Sequence, residues 1–158
     1  MIRIRQLRGE SREMAELQRV LEGAPGYCQR VMGVPAGPAE AQSTYSALPE
    51  GKTYDDEMVG CADVIRGWPR ADTSIIGLLL IAETHHGRGY GRAACAELEK
   101  TIGSWGAKRA RAAVVRTNAQ AIPFWERMGF EPTGEMKPYR YGAVVSEAII
   151  FEKPIASP

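Results

Sequence analysis

Residues 83–94 read ETHHGRGYGRAA and follow SIIGLLLIA at 74–82, a run apolar enough for a strand buried on both faces. Behind the glycines, Ala94, Leu98, Ile102 and Trp105 recur at helical spacing. A buried strand therefore runs into Gly87, Gly89 and Gly91 and then into a helix. Glycines let the backbone enter left-handed conformations and approach a ligand without a Cβ in the way. The unpaired N–H groups of such a turn and of the first helical turn converge on one spot, where the helix dipole adds positive potential. Arg88 and Arg92 bracket that spot. The stretch reads as a cradle for a diphosphate, and three glycines at alternate positions exceed what a plain strand-to-helix turn requires.

Working outward, MIRIRQL at the start alternates apolar and basic residues and predicts a strand. In SREMAELQRVLEG, Met14, Leu17, Val20 and Leu21 form a helical stripe, with Ser11 as cap and Gly23 as stop. Residues 33–52, rich in small residues, Pro and Gly, predict a loop with one short helix that covers a site. MVGCADVIR (58–66) reads as a strand and RARAAVVRT (109–117) as another. PFWERMGF (123–130) reads as a short helix closed by Gly129, and AVVSEAIIFEK (143–153) as a last strand. The order β-α-α-β-β-α-β-α-β-β is mixed α/β, with no repeat and no linker. The 158 residues suit a single domain over 1–158.

Two other phosphate-binding patterns fail. GYGRAA fits a dinucleotide fingerprint, but the next strand ends VVRTN, with no carboxylate to hold a ribose. GKT at 51–53 lacks the glycine five residues earlier, where Ser46 stands, and lacks the flanking strand and helix. Apolar residues make up 44% and charged residues 25% of the chain, and 20 basic against 19 acidic residues leave +1. That balance argues against a nucleic-acid surface. Cys28, Cys61 and Cys95 are too far apart for a disulfide framework or a zinc site and fit a reducing, cytoplasmic setting. The sequence offers no membrane span or signal peptide. His85 and His86 are adjacent, and adjacent loop side chains seldom converge on one ion, so no metal is expected.

LLIAETHHGRGYGRA followed by NAQAIPFWERMGF resembles the GCN5-related N-acetyltransferases (GNAT). They carry R/Q-x-x-G-x-G/A after their fourth strand and N-x-x-A-x-x-x-[YF]-E-x-x-G-F after their fifth. The resemblance covers 58–153, an acetyl-CoA-binding core, and only the outline of 1–57, which would hold the acceptor-site loop. It implies a central mixed, largely antiparallel sheet of six to seven strands, flanked by about four helices and splayed between strands 4 and 5. It implies acetyl-CoA as co-substrate. The pyrophosphate would lie on His86, Gly87, Arg88, Gly89, Tyr90, Gly91 and Arg92, and the pantetheine arm on the backbone of Leu79, Leu80 and Ile81. Asn118 and Trp125 would also touch the coenzyme, and the Leu79 N–H would polarise the acetyl carbonyl.

The pattern breaks where chemistry is expected. His86 stands at the Arg/Gln position, Ile75 at the position of the glutamate base, and Trp125 at that of the tyrosine acid. An ammonium has no lone pair, so a base is needed near neutral pH. Asp63 is the first candidate, sharing one strand face with Cys61 and Ile65; Glu83 is the second. Tyr139, or Tyr141, is the candidate acid, although a thiol near pKa 8.5 can leave as thiolate unaided. The function that follows is direct acetyl transfer to the primary amine of a small molecule. A non-catalytic acyl-CoA-binding module and a protein N-terminal or lysine acetyltransferase are the alternatives. Many members dimerise through the sheet or last strands, and the sequence leaves open whether this chain forms a homodimer.

Overall fold

The structure, a computed structural model, describes residues 2–38, 40 and 57–156. Helix α1 (Ser11–Glu22) buries Leu17, Val20 and Leu21 as its stripe demands. Ser11 does not cap it. Glu13, only 5% exposed, reaches back and accepts from the N–H groups of Arg8, Gly9 and Glu10 at 2.7, 3.0 and 3.3 Å. The Arg5 guanidinium lies 3.5 Å from the same carboxylate and offsets the cost of burying it. This arrangement replaces the expected first strand. Residues 2–10 are irregular except for one isolated bridge at Gln6, and Ile4 remains 39% exposed. The last three N–H groups of this stretch, those of Arg8, Gly9 and Glu10, go to Glu13 instead of to a neighbouring strand.

After Gly23 comes helix α2 (Pro25–Val31). The sheet follows as β1 (Gly60–Ile65), β2 (Thr73–Ile81), β3 (Arg109–Val115), β4 (Glu131–Tyr141) and β5 (Val144–Pro154), in the order β1-β2-β3-β5-β4. Only β2 and β3 run parallel. Five strands stand among the described residues, fewer than the six to seven expected. Most of the loop expected over 33–52, and GKT with it, lies outside them.

Helix α3 (Tyr90–Ser104) and the short α4 (Ile122–Arg127) cover one face. Leu98, Ile102, Trp125 and Phe130 pack there against Ile76, Ala110, Ala112, Val114 and Phe151. Alternate alanines on β3 leave room for these large side chains. On the other face, Leu17, Leu21 and Ala24 cover Leu80, with Leu78 and Cys61 beside it. Strand β2 therefore feeds both cores, which explains its lack of polar alternation. Gly129 has φ +90° just past α4, the left-handed stop expected of it.

Candidate active site

Strand β2 has nine residues, yet it pairs with β3 only from Thr73 to Ile76. Beyond Ile76 the two parallel strands separate, and a wedge opens between their C-terminal ends. The direction of the free backbone groups follows from the other edge of β2. Ala82 N–H donates to Val59 O at 2.9 Å, and the ladder continues with Cys61 opposite Leu80. Hydrogen-bonding positions alternate along an antiparallel pair, so Leu80 and Ala82 face β1. Leu79 and Ile81 turn their N–H and C=O groups into the wedge.

Two features shape this edge. Asp63 pairs with Leu78 and Val64 with Ile76, so Gly77 is an extra residue, a bulge. A Cβ on Gly77 would lie 3.1 Å from Asp63 Oδ2, so glycine there makes room for that carboxylate. His86 brings Nε2 to 2.8 Å from Ile81 O; a carbonyl only accepts, so Nε2 carries the proton. The motif's unusual histidine thus binds the last carbonyl of β2.

The wedge opens onto the glycine turn. Gly87 and Gly89 have φ +75° and +80°, with open space where a Cβ would be, so conformation alone calls for glycine. Gly91 is helical, and its Cβ would meet Phe124 at 3.3 Å. The first bond of α3 is Ala93 N–H to Gly89 O, 3.0 Å, which leaves the N–H groups of Tyr90, Gly91 and Arg92 without helical acceptors. Arg88 and Arg92 are exposed beside them. An open strand edge leading to a helix N-terminus with free donors and two cations fits a chain of amides ending in a diphosphate.

The candidate acid–base groups fall on the α1–α2 side of the sheet. Asp63 is half-buried with Oδ1 shielded and unpartnered, and burial holds its carboxyl above the usual range. Cys61, on the same face, is raised to about 12 by burial and then by the charge of Asp63. Burial raises Cys28 as well, and Cys95 to about 12, so all three are thiols at neutral pH. Tyr27 is raised by burial and then by Tyr139, Cys61 and Cys28, which lie close enough to act on it. Tyr139 donates its proton to Val31 O at 2.9 Å, and burial raises its pKa. Tyr141 is exposed at the end of β4.

Other expected residues have structural partners. Glu83 is exposed, and its Oε1 accepts from Gly26 N–H at 2.9 Å. Asn118 Oδ1 accepts from Arg30 Nε at 2.7 Å. Trp125 is 6% exposed in the core, edge-on to Phe124 and Phe130 at 5.2 and 5.1 Å. Its neighbour Phe124 is the ring that a Cβ on Gly91 would meet. Sequence reasoning missed Phe124 and Gly77. A glycine inside an apolar strand is the available sign of a bulge. Among the described residues no three His, Cys, Asp or Glu gather as metal ligands, and no helix is long and apolar enough to cross a membrane.

Several solved structures that share this fold are acetyltransferases. Among solved structures, an acetyltransferase from Thermus thermophilus is 24% identical, with 97% of each chain covered and a TM-score of 0.70. The Escherichia coli ribosomal-protein-S18-alanine N-acetyltransferase is 19% identical over 100% of this chain and 96% of that one, TM-score 0.68. An aminoglycoside 6'-N-acetyltransferase complexed with coenzyme A is 14% identical over 99% of both chains, TM-score 0.72. These likenesses establish a common fold. No curated protein matches the sequence. The acetyltransferase (GNAT) family, whose members take their acyl group from acetyl-CoA, matches residues 35–130, and the chain belongs to it.

Proposed function

We propose that this acetyltransferase moves the acetyl group of acetyl-CoA directly onto the primary amine of a small molecule. The observation that carries the reading is the wedge between β2 and β3, with Leu79 and Ile81 facing it and the Gly87–Arg92 turn at its mouth. Acetyl-CoA supplies an activated thioester. Leu79 N–H points to where the acetyl oxygen gains charge, and a fixed donor there lowers the barrier. Asp63 takes a proton from the arriving ammonium; a carboxyl raised by burial is a better base than an ordinary one. The neutral amine forms the C–N bond, the C–S bond breaks, and the second nitrogen proton goes to the departing thiolate. That thiolate is stable enough to leave without an acid, which suits a site where Tyr139 has its proton committed to Val31.

Transfer through an acyl-cysteine has no support, because Cys61 is held as a thiol. The acceptor faces Asp63, Tyr27 and Cys61 on the α1–α2 side. Small-molecule amines and peptides with free N-termini or lysines, offered with acetyl-CoA and followed by thiol release and product mass, test the proposal. Turnover of small amines is the expected result. Acetylation of peptides alone would move the reading to a protein acetyltransferase, and coenzyme binding without any product would reduce it to a binding module.

A further inference from the structure

Helix α2 is fastened to three separate elements. At its start, Gly26 N–H donates to Glu83 Oε1 at 2.9 Å, and Glu83 N–H donates to Gly23 O at 2.7 Å. These bonds tie it to the 3-10 turn Glu83–His85 that ends β2. In its middle, Arg30 reaches the 3-10 turn Arg116–Ala121 that ends β3. Arg30 Nε donates to Asn118 Oδ1 at 2.7 Å, and with the Gln120 carboxamide turned oxygen-first, Nη1 and Nη2 donate to it at 3.0 and 2.9 Å. At its end, Val31 O accepts from the Tyr139 hydroxyl. The helix bridges the ends of the two strands that part to make the wedge, and it carries Tyr27 and Cys28 on the acceptor side.

Arg30 is unusual among these ties. A guanidinium normally pairs with a carboxylate, yet here its fork is spent on two neutral carboxamides across the wedge. Asn118 sits at φ −104°, ψ 36°, a kink inside the 3-10 turn, and Arg30 holds its side-chain oxygen. With its oxygen held by Arg30, its two amide protons remain for a ligand in the wedge.

We infer that Arg30 is a positioning residue that couples coenzyme binding in the wedge to the set of α2, and through α2 to the acceptor side of the sheet. The inference rests on the acyl-CoA reading of the wedge. A coenzyme that takes up the Asn118 amide stiffens Asn118 and Gln120, these stiffen Arg30, and α2 closes on the acceptor side. Coenzyme and amine then each favour the other's binding, because such coupling is reciprocal.

Hydrogen exchange on the full chain, with and without CoA, tests this without knowledge of the amine. In the parent protein, CoA slows exchange at both 87–92 and 25–33, the latter by about fivefold, the lower end of coupling factors between sites. In Arg30→Ala, slowing persists at 87–92 and vanishes at 25–33. With an amine substrate, Arg30→Ala raises its KM at saturating acetyl-CoA and leaves kcat less changed. A role confined to holding α2 in place would instead speed exchange at 25–33 equally with and without CoA. That outcome, or protection at 87–92 alone in the parent protein, overturns the coupling and leaves the coenzyme site standing. Absence of protection at 87–92 overturns the coenzyme site and the coupling with it.

Discussion

Asp63 shows what a single residue costs and contributes at this site. Its carboxyl is raised by burial, so the folded chain binds its proton more tightly than the unfolded chain does. The stability this provides is present below the ordinary carboxylate pKa of about 3.9 and is lost as pH rises through the raised native value. Asp63→Asn is therefore expected to raise Tm near neutral pH, a gain that disappears in acid, as thermal melts across pH would show. The same change removes the base. It is expected to lower kcat/KM about 100-fold or more while the Kd for acetyl-CoA stays put, and to abolish an acid limb lying above the usual carboxylate range. Cys61→Ala tests the opposite expectation for its neighbour. Turnover persists without an acyl-enzyme burst, since a thiol at about 12 is not a nucleophile at pH 7. The sequence exposed Asp63 by its place inside a strand, but not the reason it fits. Gly77 makes room for it through a bulge, and a register shift depends on two strands at once. Trp125 stands where the family pattern has tyrosine, and its contact is a matter of packing. Buried against Phe124 and Phe130, it belongs to the core. Trp125→Tyr would leave a gap and an unpartnered hydroxyl, so destabilisation of about 1–3 kcal/mol without a faster reaction is expected from denaturant melts and steady-state rates.

At the scale of elements, the strand–glycine turn–helix unit was legible because each signal is local. An apolar run, three glycines and a helical stripe occupy one continuous stretch, and the structure sets β2, the turn and α3 within a residue of the expected limits. Gly89 is the sharpest test of this unit. At φ +80° with open space where a side chain would stand, Gly89→Ala carries only the backbone cost of a left-handed residue, about 1–2 kcal/mol. Part of that cost falls on the coenzyme, because the turn relaxes away from the conformation that aims its N–H groups. Calorimetry should show several-fold weaker acetyl-CoA binding. Tight binding by Gly89→Ala would mean that the turn does not hold the diphosphate. The N-terminal strand failed for a reason of the same kind. Alternation makes a strand only when a sheet face is there to receive it, and Glu13 drew the N–H groups of Arg8, Gly9 and Glu10 to itself instead. Its appeal as a cap was hidden, since Glu at the third helical position is common and its reach to three donors is a tertiary fact.

For the molecule as a whole, parting two parallel strands leaves strong hydrogen-bonding groups unpaired, and the two cores on either side of β2 hold the sheet while it does so. Phe130, 1% exposed and packed on Trp125, anchors the larger core. Phe130→Ala is expected to cost about 3–5 kcal/mol in denaturant unfolding. The wedge itself could not be read from composition or periodicity, because it is defined by pairings that stop. It entered the sequence reading only through the family resemblance, and the pairing of β2 with β3 over Thr73–Ile76 now supplies it directly. Helix α2 and its ties to Glu83, Asn118 and Tyr139 were equally hidden, each linking residues far apart in the chain. The central claim is that this wedge and its glycine turn bind acetyl-CoA. A calorimetric titration of the protein with acetyl-CoA, with NADP as control, tests it most directly. One-site micromolar binding of acetyl-CoA, with no heat from NADP, is the predicted result. No binding of acetyl-CoA, or equal binding of both, would contradict it.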